Sequence, residues 1–269
     1  MIKGVDYSTR PASWPAFFDT LKGKGYTVIG RYLYDYDDPK RLTREELDAA
    51  FAAGISVFCW FETSEGAALD GYKRGVAHAE RALSELRKLA LPEDLPVYLC
   101  VDFDATDSQL AGPVRKYFEG ARTILPLAQM GAYGGWRSVR YLADAGLVRY
   151  TAQTEAWSYL NGYWPKQPVW HPGACMHQWT VHGPGKIGGV QCDGLDIVAD
   201  CGAYHPDQGD EMDASIIELI KLNRVSHVAR SYDVEIIRAE IKGDTERVAK
   251  LEADKLQDLE DVRKALGLD

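Results

Sequence analysis

Eight short runs rich in β-branched, aromatic and small residues recur along the first 200 residues, and helical periods separate the early ones. The runs are IKGVDYS (2–8), TVIGRYLY (27–34), SVFCWFE (56–62), PVYLCVDFD (96–104), QMGAYGG (129–135), VRYTAQT (148–154), ACMHQWT (174–180) and DGLDIVAD (193–200). Thr43 and Glu46 have capping-box spacing and open a helix that ends at Gly54. Residues 67–90 hold a helical period stopped by Pro92. Residues 107–125 hold another, opened by Asp107 and stopped by Pro126. Strands alternating with helices point to a parallel sheet. Eight such strands predict an α/β fold, a (β/α)8 TIM-like barrel. Its second half is predicted to be degenerate, because Trp-, Pro- and Gly-rich loops follow the sixth run. The alternative is an open doubly wound sheet. That would want a glycine phosphate-binding fingerprint after the first strand, where the chain reads STRPASWP.

Composition breaks near residue 206. All seven tryptophans precede it, and Tyr232 is the one aromatic after it. From Asp207 onward there are 16 Asp/Glu and 10 Lys/Arg, so the tail carries most of the net charge of -9. The division predicted is a barrel over 1–206 and an α-helical C-terminal extension over 207–269. In the extension, Ile216, Ile217, Ile220, Ile236, Ile237 and Ile241, then Val248, Leu251, Leu256, Leu259, Val262 and Leu266, recur at helical spacing. Lys255 and Asp258 interrupt the seam, so a strict coiled coil is not required. The expectation is a helical stalk over residues 210–269 that forms a homo-oligomer or docks on a partner such as a virion.

The net charge argues against phosphate-based nucleic-acid binding. No apolar run approaches the roughly 20 residues of a membrane span, and MIKGVDYSTR enters a strand pattern without a leader. The expected locale is synthesis in the cytoplasm without a signal peptide. Action would then be at the cell wall after release, or in a virion. Five cysteines, with Cys59 and Cys100 inside apolar runs, read as reduced buried thiols. The stretch HPGACMH lacks a matching second half, so neither a metal nor a cofactor is expected.

Within VYLCVDFD, residues two apart share a face. Leu99, Val101 and Phe103 then meet the helices, while Cys100, Asp102 and Asp104 face the barrel axis. The two carboxylates lie roughly 6–7 Å apart at the C-terminal mouth, where barrel enzymes keep their chemistry. Other runs end alike: Asp6 on the first, Glu62 on the third, and Asp193 and Asp196 on the eighth. Arg31, Tyr133, Trp136, Gln178 and Trp179 are candidate substrate contacts, although an isolated Trp is more often core and Asp196 could pair with Arg31. Acidic groups gathered in one pocket push one another's pKa apart, giving a proton donor beside an ionised neighbour. With aromatic platforms, that is the equipment of glycoside hydrolysis.

GVDYS (4–8), VYLCVDFD (97–104), GAYGG (131–135), HQWT (177–180) and DGLDIVAD (193–200), in that order, resemble glycoside-hydrolase-like domains related to family-25 lysozymes. The resemblance covers residues 1–205 and is nearest the branch of unknown function found in actinobacterial and phage proteins. It implies a TIM-like barrel and a lysozyme-like, endolysin-type activity on peptidoglycan or a related polysaccharide. It also implies Asp6, Asp102 with Asp104, and Asp196 as the acidic set. Where the lysozymes place Glu as general acid, this chain has Asp104, one methylene shorter, and Glu62 is the candidate to supply the reach. A weakly active wall-binding or virion module is the alternative the resemblance allows.

Overall fold

The computed structural model describes residues 1–34, 36–159 and 168–208, together with Ala249 and Ala253. Met1–Gln208 is one compact unit and Gly209–Asp269 a second. From residue 209 onward the expected helical stalk lies outside the described residues, those two positions apart.

All eight runs form strands: β1 (Ile2–Tyr7), β2 (Tyr26–Tyr32), β3 (Ser56–Phe61), β4 (Val97–Val101), β5 (Met130–Gly134), β6 (Tyr150–Thr154), β7 (Met176–Trp179) and, last, β9 (Val190–Ile197). A short extra strand, β8 (Gly185–Ile187), forms a hairpin with β9. Strands β1 to β7 are successive parallel neighbours, and β9 pairs with both β7 and β1, so eight strands close into a barrel. Both pairings of β9 are antiparallel, which differs from a regular (β/α)8 barrel. The helices are α1 (Trp14–Gly23), α2 (Arg44–Ala52), α3 (Tyr72–Lys88), α4 (Asp107–Gln109), α5 (Arg115–Ala121) and α6 (Trp136–Asp144). Between β6 and β9 no α-helix occurs among the described residues. The Trp-, Pro- and Gly-rich connections there carry no helical period, and the hairpin does the closing instead. No helix among the described residues is long and apolar enough to cross a membrane.

Strand alternation divides the interior in two. Val5, Tyr7, Ile29, Leu33, Val57, Phe61, Leu99 and Val101 join the layer between sheet and helices. Val28, Phe58, Trp60, Tyr98, Ala152, Met176, Leu195 and Ile197 fill the barrel itself. Burying apolar faces on both sides is what a parallel sheet demands. Gly30 makes the inner filling fit: a Cβ there would come 2.4 Å from the Phe58 ring and 2.8 Å from Trp60 Nε1. The long segment expected from 107 is opened by Thr106 rather than Asp107. Thr106 accepts from the Gln109 N–H, and its own N–H donates to Gln109 Oε1, a complete capping box.

Candidate active site

Because β4 ends at Val101, Asp102 is the first residue past the strand and still points inward. Glu62 takes the equivalent place past β3. Together with Tyr32, Lys40, Trp60, Tyr133, Gln178 and Asp193 they line a pocket of about 270 Å³ at the C-terminal mouth of the parallel strands. Asp102 and Glu62 are neighbouring carboxyls in this wall, and close carboxyls cannot both ionise cheaply. Burial first, then neighbouring Glu62, raise Asp102 to about 7. Lys40 Nζ lies 3.6 Å from Glu62 and over the Tyr32 ring, and its charge pulls Asp102 the other way.

A second acidic pair faces this one. Asp6 on β1 and Asp193 on β9 are register partners. Asp6 is buried behind the pocket surface and is raised to about 7, by desolvation first and then by Asp193. Asp193 is raised to about 6 by burial and by the charge of Glu155. A relay joins the buried carboxyl to the wall: Tyr133 donates to Gln178 Oε1 at 2.7 Å, and Gln178 Nε2 donates to Asp6 at 3.0 Å. Gln178 is thereby fixed in orientation, since only one end of its amide can accept.

Glu155, just past β6, was not among the sequence candidates. It is fully buried and collects the backbone N–H groups of Thr180, Val181 and His182 at 3.1, 3.0 and 3.2 Å on one oxygen. The other oxygen accepts from Tyr159 at 2.6 Å and meets His182 Nδ1. Burial pushes this carboxyl up, but the hydrogen bonds from Tyr159 and His182 more than reverse it and leave it below its ordinary value. Glu155 thus anchors the 180–182 turn, whose Thr180 lines the pocket. Glu155 is the first residue past β6 but is out of step with the inward Ala152 and Thr154, so alternation alone does not aim it at the mouth.

Asp6, Glu62, Asp102, Tyr133 and Gln178 therefore come together as the alternation of their strands predicts. Five other candidates do not. Asp104 lies three residues beyond the end of β4, where alternation no longer governs direction; it is 55% exposed and 3.7 Å from Arg137. Asp196 points to the outer face of β9 and accepts from Trp179 Nε1 at 2.9 Å. Asp196, three residues on from the inward Asp193, takes the opposite face, and the antiparallel run of β9 brings its N-terminal half, and so Asp193, to the mouth. Trp179 follows Asp196 to that outer groove. Arg31 is wholly buried between sheet and α2, bonded to Glu46 at 2.5 Å and to the Tyr7 carbonyl. Trp136 starts α6 and carries the Arg140 guanidinium over its ring, outside the pocket lining. Among the described residues no group of three or more His, Cys, Asp or Glu is placed to hold a metal ion, and all five cysteines are buried and unpaired.

Comparison with known proteins matches this barrel to a family. Residues 19–199 match the Rv2525c-like, glycoside hydrolase-like domain. The chain belongs to that family. The Tat-secreted Rv2525c of Mycobacterium tuberculosis, solved with L-tartrate, superposes over 75% of this chain and 98% of its own, with a TM-score of 0.66 and 20% identity. An uncharacterized B. stearothermophilus protein superposes over 73% of this chain and 96% of its own, with a TM-score of 0.52 and 18% identity. At these identities the Rv2525c-like likeness is one of fold. In sequence, the uncharacterized protein YbfG of Bacillus subtilis (strain 168) is 29% identical over 150 residues, 49% of this chain. The chain spans only 20% of YbfG's length.

Proposed function

We propose that this domain is a glycosidase directed at cell-wall polysaccharide, with the glycan of peptidoglycan as substrate. The observation that carries the reading is Asp102: an inward carboxyl at the pocket surface, held near neutrality by burial and by neighbouring Glu62, facing the Asp6–Asp193 pair. Protonated Asp102 delivers its proton to the glycosidic oxygen as the C–O bond breaks. Ionised Asp193 lies ready to stabilise the positive charge that develops at the anomeric carbon. Water then adds to that carbon and gives its proton to a carboxylate, so Asp102 is restored. Tyr32, Trp60 and Tyr133 supply the aromatic walls.

Release of reducing ends from purified peptidoglycan tests this. Asp102→Asn is expected to cost roughly 100-fold or more, and Asp104→Asn to leave the rate within about twofold, as expected of a rim residue outside the reacting groups. Activity that survives Asp102→Asn but not Asp104→Asn would reassign the acid. A second reading is a wall-binding module with little catalysis. It is favoured by the outward turn of Asp104 toward Arg137, at the position where the lysozyme pattern has Glu. No reducing ends from the wild type, together with retention on cell walls, would select it. Self-association or virion docking through residues 210–269 accompanies either reading as a proposal, tested by light scattering of the full chain.

A further inference from the structure

Three tyrosine rings climb from the pocket to solvent. Tyr32 stands in the pocket wall. The Tyr34 ring lies 5.8 Å from it, tilted by 36°, and the Tyr36 ring lies 4.9 Å beyond, stacked at 15°. Tyr34 is buried, whereas Tyr36 is 44% exposed. Residues 37–42, which follow the rings, are tied from several sides. Leu42 N–H donates to the Tyr32 carbonyl at 2.9 Å, and Arg31 reaches the Pro39 carbonyl at 3.2 Å. Arg10 bonds Asp37 at 2.9 Å and the Asp38 carbonyl at 3.0 Å, and the Lys40 N–H donates to Asp38 at 2.7 Å.

An exposed aromatic ring forfeits hydrophobic burial. A tied loop and a buried ring behind it remove most of the freedom that would compensate. What remains is a flat, pre-ordered apolar face with an arginine and carboxylates beside it. That combination suits a ligand with an apolar face and a rim of hydroxyls. A pyranose ring has both.

We propose that Tyr36 is a stacking platform for a saccharide unit beyond the one held in the pocket, so that the site takes an extended glycan in preference to a disaccharide. This rests on the glycosidase reading of the pocket and names its substrate as a chain. Stacking on a pre-ordered ring strengthens binding only for ligands long enough to reach it.

The test is calorimetric titration of the full chain in an Asp102→Asn background, so that nothing is cleaved, with N-acetylglucosamine oligomers of two and of six units. Tyr36→Ala is expected to weaken the six-unit ligand about fivefold and to leave the two-unit ligand unchanged, while Tyr36→Trp retains the six-unit affinity. Equal weakening of both ligands, or none for the longer, overturns the platform and leaves the pocket reading standing. A background protein that binds neither oligomer overturns both.

Discussion

Asp6 and Asp193 stand directly opposite each other where antiparallel β9 closes the barrel against β1. Neighbouring like charges in a buried site cannot both ionise cheaply. Burial is the larger cause of Asp6 being near 7, and Asp193 the next. Replacing Asp193 with Asn should therefore lower Asp6 toward its ordinary 3.8 without reaching it, read by carboxyl carbon chemical shifts against pH. An Asp6 titration that does not move would mean the two groups are uncoupled.

The same shift fixes a sign for stability. Asp6 binds its proton more tightly folded than unfolded. Its contribution is therefore present in full below about 3.8 and is lost as pH rises through about 7. Histidines with lowered pKa values, His171 and His177, work in the opposite direction over part of that range. The comparison with Asp193→Asn cancels them. Between pH 5 and 7.5 the wild type should lose roughly 1–2 kcal/mol more than the variant in urea denaturation. A parallel pair of curves would contradict this.

Hydrolysis, if Asp102 is the acid and Asp193 the ionised group, should peak narrowly. The rate should fall above about 7 as Asp102 loses its proton, and below about 6 as Asp193 gains one. Lys40 holds Asp102 down, so Lys40→Met should move the alkaline limb upward and leave the acid limb in place. Limbs that move together would show that Lys40 acts on the fold rather than on Asp102.

Arg31 makes a different prediction, because its guanidinium is used by the fold. Arg31 and Glu46 are both fully buried, and Tyr7 donates to the same carboxylate at 2.6 Å. Glu46→Leu leaves an unpaired buried cation and should destabilise by about 3–5 kcal/mol, whereas Arg31→Met with Glu46→Leu should cost much less. Chemical denaturation of the three proteins decides it.

Alternation along single strands was enough to read Asp6, Glu62, Asp102, Tyr133 and Gln178 from the sequence, because each sits within or one residue past a strand whose faces differ. The fold role of Arg31 is not legible from its own strand, since its partner Glu46 arrives from a helix fifteen residues on, where the sequence shows a helix cap. Alternation puts Asp193 and Asp196 on opposite faces, but it does not encode the direction of the strand, and so not which of them meets the mouth. That direction is set by the hairpin of β8 with β9, a three-residue element too short to leave a pattern. Glu155 gathers donors from residues 25 to 27 positions away, and no local spacing announces such a hub.

Glu155 allows both of its consequences to be measured in one variant. Its carboxylate is the acceptor for three consecutive backbone N–H groups, and its charge is the second cause of the raised Asp193. A group with a lowered pKa contributes stability above its ordinary value and loses it as pH falls through the folded value. Glu155→Gln keeps an oxygen in place and removes the charge. At pH 7 it should cost about 1–3 kcal/mol, and the difference from wild type should shrink under acid conditions as the wild-type carboxylate is protonated. Asp193 should titrate below about 6 in the same protein, carrying the acid limb of any hydrolysis with it. Were Asp193 to stay at about 6 while stability fell, burial alone would hold its proton, and Glu155 would be an anchor of the 180–182 turn without electrostatic reach into the pocket.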